Sequence, residues 1–173
     1  MQPRYLVLLA AYNGLEWISE QVESILNQEG VSVTLLISVD ASGDGTEQWV
    51  TDLADSDSRV KYLAHGQRFG GAARNFFRLV KEASIEDFDY FSFADQDDIW
   101  LPNKLIQATD VMYENQSDGY SGNVTAFWPN GNEQLIVKSQ PQVQYDHLFE
   151  AAGPGCTYVF SRKLFVDLQQ HIT

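Results

Sequence analysis

Along the first half of the chain, short unbroken apolar runs alternate with segments whose apolar residues recur every three or four positions. Tyr5-Leu6-Val7-Leu8-Leu9-Ala10 is apolar at every position, the pattern of a strand covered on both faces. After Asn13-Gly14, Leu15, Ile18, Val22 and Ile25 fall on one face of a helix. Val33 to Val39 predicts a second buried strand, rich in β-branched residues. Ser42-Gly43-Asp44-Gly45-Thr46 interrupts it with turn chemistry and a helix cap, and Trp49, Val50 and Leu53 predict the inner face of a second helix. Val60 to Ala64 predicts a third strand, and Gly70-Gly71 leads into a third helix marked by Ala73, Phe76, Phe77 and Val80. Tyr90-Phe91-Ser92-Phe93-Ala94 predicts a fourth strand. The β-α-β-α-β-α-β order implies a mainly parallel sheet with right-handed crossovers, and in such sheets ligands bind beyond the carboxyl ends of the strands.

After Pro102 the texture changes. Lys104 to Tyr113 predicts a helix, Gly122 to Trp128 and Leu135 to Val137 predict strands around a Pro-Asn-Gly turn, and Val143 to Ala151 predicts a helix. Thr157 to Phe160 predicts a strand, and Lys163 to Gln170 a final helix. With no linker, repeat or low-complexity tract, residues 1–173 are expected to form one domain. Hydrophobic residues at 44% and charged residues at 20% are ordinary for a globular chain. The net charge of −13 argues against a nucleic-acid partner, which needs a basic face. No run reaches the ~20 apolar residues of a membrane-spanning helix, and the amino-terminal apolar run reads as a strand, not a signal peptide. Cys156 is the only cysteine, which rules out an intrachain disulfide and suits the cytoplasm.

Three strand ends carry candidate chemistry: Ala11-Tyr12-Asn13-Gly14, Asp40 to Thr46, and Asp95-Gln96-Asp97-Asp98. All three are expected on one sheet edge, so Asp40 and the Asp95–Asp98 cluster would face one crevice. Mg²⁺ and Mn²⁺ prefer oxygen ligands, commonly one or two carboxylates plus substrate phosphate oxygens. Such a cation would neutralise charge developing on a leaving diphosphate, and Asp40 could accept the N3–H of a uracil or thymine ring. Taken singly, each feature has a plainer explanation. Asp-x-Asp occurs in many surface loops, Asp44 is a natural turn and cap residue, Tyr12 could simply pack, and Arg74 could make a surface ion pair. Their conjunction on one edge favours the site.

Those residues, with Asp40-x-Ser42-x-Asp44-Gly45-Thr46 and Asp95-x-Asp97-Asp98-Ile99-Trp100-x-Pro102-x-Lys104-Leu105, resemble the inverting family 2 glycosyltransferases. Asp95-Gln96-Asp97-Asp98-Ile99-Trp100 and Gly153-Pro154-Gly155-Cys156-Thr157-Tyr158-Val159-Phe160 are similar to the rhamnosyltransferase-like branch. The resemblance implies a GT-A-type, Rossmann-like α/β/α sandwich, a UDP- or dTDP-linked sugar donor, and Mg²⁺ or Mn²⁺. It implies that Ala11, Tyr12 and Asn13 border the base, that Asp40 contacts it, and that Arg74 meets the diphosphate. Asp95 and Gln96 would lie near the ribose, with Asp97 the metal ligand, aided by Asp95, and Asp98 supporting the loop. Gly153, Pro154, Gly155 and Cys156 would wall the donor sugar and acceptor. The acceptor implied is a cell-surface saccharide or lipid-linked saccharide, reached from the inner face of the membrane.

An inverting transferase also needs a general base to deprotonate the acceptor hydroxyl. In the family that aspartate follows the Gly-Cys strand by some tens of residues, so it is expected beyond Thr173, leaving this chain with donor and metal sites only. Asp167 sits at an ordinary helical position, and Asp146-His147 precedes the Gly-Cys strand as a helix-face pair. Two alternatives stand beside this reading: a sugar-1-phosphate nucleotidylyltransferase, disfavoured by the lack of a glycine- and arginine-rich first loop, and a non-catalytic nucleotide-sugar-binding module. Dinucleotide oxidoreductases and Walker-type ATPases are disfavoured by missing phosphate loops. His65, His147 and His171 lack metal-ligand spacing, and Cys156 reads as an inert buried thiol.

Overall fold

The computed structural model describes residues 2–63, 68–138, 143–145, 148 and 151–172. Its central sheet has the order β3-β2-β1-β4-β8-β5, where β1 is Arg4–Ala11, β2 Ser32–Val39, β3 Val60–Leu63, β4 Tyr90–Ala94, β5 Gly119–Tyr120 and β8 Val159–Ser161. The pairings β1–β2, β2–β3 and β1–β4 are parallel, whereas β8 runs antiparallel to both β4 and β5. A separate hairpin joins β6 (Val124–Phe127) to β7 (Glu133–Ile136).

The unbroken apolar run of β1 is explained by the two cores it serves. Side chains alternate across a strand, and Tyr5, Val7, Leu9 and Ala11 enter one core while Leu6, Leu8 and Ala10 enter the other. The first core is covered by α1 (Ile18–Leu26), α2 (Thr46–Ser56) and α4 (Lys104–Asn115) through Ile18, Val22, Ile25, Val50, Leu105, Ala108 and Met112. The second is covered by α3 (Ala72–Glu82) and α5 (Arg162–His171), where Phe165 stacks on Phe91 with ring centroids 3.8 Å apart. The result is the expected α/β/α sandwich with a mainly parallel sheet. Among the described residues, no helix is long and apolar enough to cross a membrane.

Several local expectations change. The α1 helix begins at Ile18, leaving Leu15 in the preceding loop, where its N–H donates to Asp44. In α3 the buried positions are Asn75, Leu79 and Val80, and Phe77 is exposed; the polar Asn75 takes the inward place that aromatic spacing had assigned to Phe77. Of the hairpin strands, β6 is shorter than the expected Gly122 to Trp128, and β7 begins two residues before the expected Leu135 and ends one before Val137. Thr157 belongs to a 3₁₀ turn, Gly155–Thr157, because its N–H and hydroxyl both donate to the Pro154 carbonyl; the strand starts at Val159. Of the helix expected over Val143 to Ala151, Gln144 and Tyr145 form a turn onto which the Leu148 N–H closes, and Ala151 is not helical. The remainder of that span, including Asp146 and His147, lies outside the described residues, as do Ala64 and His65.

Candidate functional site

At the carboxyl edge of the parallel strands, Ala10, Ala11, Tyr12, Asp40, Arg68, Gly70, Gly71, Ala72, Asn75, Asp95, Gln96 and Asp97 line a cavity of about 340 Å³. The ends of β1, β2 and β4 converge there, as the open-sheet rule requires. Asp40 is buried at the floor. Its Oδ1 accepts from the Ala41 N–H at 2.9 Å and the Phe69 N–H at 2.6 Å, and its Oδ2 accepts from the Gly70 N–H at 3.0 Å. The aspartate thereby fixes the loop after β3 over the cavity.

The three edge loops are laced together by short polar side chains. The Asn13 N–H donates to Ser42 Oγ, and the Gly43 N–H donates to Asn13 Oδ1. The Gly14 N–H donates to Thr46 Oγ1, and Asp44 caps α2 by accepting from both the N–H and the hydroxyl of Thr46. Desolvation would raise the Asp44 pKa, but these bonds and the one from the Leu15 N–H outweigh it and hold the carboxyl below its ordinary range. Gln96 clasps the backbone of Tyr12 from the loop after β4, the fourth strand: its Oε1 accepts the Tyr12 N–H at 2.8 Å, and its Nε2 donates to the Tyr12 carbonyl at 3.0 Å. Of Asn13 and Gln96, both expected beside the nucleotide, Gln96 lines the cavity and Asn13 does not, and the bonds of both hold the loops in place.

The cation in the cavity lining is Arg68, not Arg74. Arg68 donates to the Tyr12 hydroxyl at 2.9 Å, with its guanidinium carbon 5.1 Å from the ring centroid. Arg74 lies exposed in the first turn of α3 and donates to the Phe69 carbonyl at 3.3 Å. Asn75, one position on, is buried and donates to the Ser38 carbonyl at 2.9 Å and the Ala11 carbonyl at 3.4 Å, fastening α3 to the ends of β1 and β2. Neither Arg68 nor Asn75 was singled out from sequence. A lone arginine in a loop and an asparagine on a helix carry no periodic signal; only the glycine pair between them hinted at a backbone approach.

In the fourth loop, Asp95 and Asp97 face the cavity. Burial, then the neighbouring charges of Asp98 and Asp97, push the Asp95 pKa up to about 6. This crowding of oxygen donors suits a divalent cation, whose charge would relieve the repulsion. Asp98 turns the other way, towards Cys156: one ligand atom from each of Asp95, Asp98 and Cys156 lies within 4.8 Å of the others. The Cys156 thiol is pushed up to about 12 by burial and by its hydrogen bond to Asp98, which makes it a poor nucleophile.

The wall residues Gly153, Pro154, Gly155 and Cys156 reach the same edge because β8 is antiparallel, so its approach, not its exit, adjoins the end of β4. The Ser92 hydroxyl and the Phe93 N–H both donate to the Tyr158 carbonyl and secure that approach.

Residues 6–161 match the family model "Glycosyl transferase family 2". The chain is 42% identical over 165 residues to dTDP-rhamnosyl transferase RfbG of Shigella flexneri, covering 95% of this chain and 57% of that protein. It is 33% identical over 160 residues to the Escherichia coli UDP-Glc:alpha-D-GlcNAc-diphosphoundecaprenol beta-1,3-glucosyltransferase WfgD, covering 91% and 60%. The chain therefore spans less than two thirds of the length of these curated relatives. Among solved structures, the mannosyltransferase PcManGT from Pyrobaculum calidifontis, in complex with GDP-Man and Mn²⁺, superposes with a TM-score of 0.68 at 18% identity, over 97% of this chain and 47% of that one. S. aureus TarS 1-349 in complex with UDP-GlcNAc superposes with a TM-score of 0.66 at 17% identity, over 95% and 47%. These likenesses establish the GT-A-type fold, and the matched family region takes in every strand-end loop around the cavity: the chain belongs to glycosyl transferase family 2.

Proposed function

We propose that this chain forms the donor-binding part of an inverting, metal-dependent glycosyltransferase that takes its sugar from a pyrimidine nucleoside diphosphate, with dTDP-rhamnose the first candidate. The observation that carries the proposal is the convergence of Tyr12, Asp40, Arg68, Asp95 and Asp97 around one cavity at the carboxyl edge of the sheet. Tyr12, Ala11 and Asn13 border the base, and Asp40 lies at its polar edge. Asp97 and Asp95 would hold Mg²⁺ or Mn²⁺, which when bound supplies charge neutralisation for the leaving diphosphate. Arg68 reaches the diphosphate directly; Arg74 would do so only by releasing the Phe69 carbonyl. Gly153 to Cys156 offer backbone groups beside the donor sugar.

The choice of rhamnose follows the dTDP-rhamnosyl transferase relative, and a lipid-linked saccharide as acceptor follows the glucosyltransferase relative. Asp40, Asp95 and Asp97 are already committed, to backbone N–H groups and to the cation, so the general base is assigned to none of them.

The deciding experiment is a calorimetric titration with UDP, dTDP, GDP and dTDP-rhamnose, with and without Mn²⁺ or Mg²⁺, using Asp97→Ala as control. Metal-dependent binding of a pyrimidine diphosphate, lost in Asp97→Ala, is expected. Preference for GDP would overturn the base assignment, and binding unaffected by metal or by Asp97→Ala would overturn the metal site.

A further inference from the structure

Lys104 opens α4; the residue as a whole is half-buried, and its amine end turns inward and is enclosed. Lysine is almost never fully buried unless its ammonium is partnered. Here Nζ donates to the Cys156 carbonyl at 3.0 Å and sits 3.2 Å from the centroid of the Trp100 ring, a close cation–π approach. It is also near enough to Asp98 to feel its charge. Asp98 Oδ2 is buried without a hydrogen-bond partner of its own. Lys104 therefore joins its own neighbourhood in sequence, the acidic turn after β4 and the tryptophan that follows it, to the distant Gly-Pro-Gly-Cys approach to β8.

A methionine or leucine would fill this volume without the cost of burying an amine. What the amine adds is a donor for one backbone carbonyl, that of Cys156, at the end of the wall. Gly155 in that wall is exposed, and a Cβ built on it would meet nothing within 4 Å, so side-chain packing does not fix the wall there.

We infer that Lys104 is a positioning residue for the donor sugar: it ties the Gly153–Cys156 wall to the Asp95–Asp98 turn and so sets the space between them. The inference rests on the donor-site reading above. It separates two parts of the ligand. The base and the diphosphate lie against Tyr12, Asp40 and Arg68, which are held by bonds to other residues; the sugar lies against the wall, which Lys104 holds.

The test compares wild type with Lys104→Met in calorimetric titrations with dTDP and with dTDP-rhamnose, both in Mn²⁺. The variant is expected to bind dTDP within about twofold of wild type and dTDP-rhamnose about tenfold more weakly, a factor of ten being a modest loss of oriented contact. Unchanged affinity for both ligands, or a parallel loss for both, overturns the inference. A second readout needs no nucleotide. Cys156 is the only cysteine, so its rate of reaction with a disulfide reagent reports the wall alone. That rate is expected to rise several-fold in Lys104→Met, and an unchanged rate overturns the tie even if wild type binds no nucleotide, a result that would separately sink the donor-site reading. If Lys104→Met fails to fold, Lys104→Gln, with a shorter donor, is held to the same outcomes.

Discussion

A Cβ placed on Gly14 would stand 2.2 Å from Gln96 Oε1, the atom that accepts the Tyr12 N–H. Gly14→Ala is therefore expected to push Gln96 off Tyr12 and weaken metal-dependent nucleotide binding by about tenfold. In a Gln96→Ala background the same change should cost little, a non-additivity that a double-mutant cycle by calorimetry would detect. Asp95 gives a prediction of opposite sign for stability and for binding. Its carboxyl holds its proton up to about pH 6 in the fold, above the unfolded value of 3.8. The native state then binds more protons than the unfolded chain between these values, so stability falls as pH rises from about 4 to about 6 and stays lowered above that. Asp95→Asn removes the penalty. Allowing for the solvent exposure of the group, a gain of about 1 kcal/mol, or about 2–4 °C in Tm, is expected in metal-free buffer at pH 7.5. The gain should shrink towards pH 5, while Mn²⁺-dependent nucleotide binding is lost. The acids themselves were legible in the sequence, because strand ends are easy to find and carboxylates there have few uses. The Gln96 clasp and the Arg68–Tyr12 pair were not, since their partners lie 84 and 56 residues away and nothing periodic links them.

The helix α3 shows where pattern reading succeeds and where it stops. Its place and length follow from the glycine pair before it and from the apolar spacing within it. The face it buries is decided instead by Asn75, whose side-chain amide bonds to the carbonyls that end β1 and β2. Asn75→Ala is expected to lower stability by about 1–3 kcal/mol, visible as a Tm lower by several degrees, because it leaves buried carbonyls without that donor. The neighbouring Phe77→Ala, at an exposed position, should change Tm by under about 1 °C. The short strand β5 is missed and β8 hard to bound for another reason: two or three residues cannot display an alternation, and their limits come from turn bonds at Thr157 and from the pairing of β8 with β4 and of β5 with β8. The long strands β1 and β2 needed no such help.

At the scale of the whole molecule, the sheet divides into a parallel part that carries the cavity-lining loops and an antiparallel margin that brings Gly153 to Cys156 to the same edge. The chain leaves that edge after β5 at Ser121 and returns at Ala152, where the Ser121 hydroxyl donates to the Ala152 carbonyl at 2.7 Å. Among the described residues of this excursion, β6 and β7 pair only with each other, and Phe127, Leu135 and Ile136 stay exposed. Replacing residues 124–137 by a short Gly-Ser link is expected to leave Tm within about 3 °C of wild type, since changing the length of a closed surface loop costs little; a larger drop would show that the hairpin supports the sheet. The pinched neck at Ser121 and Ala152 has an implication for how such a chain can diverge. Residues 121 and 152 close the excursion at its base, so a lineage could exchange the hairpin carried between them while the cavity at the ends of β1, β2 and β4 went on unchanged.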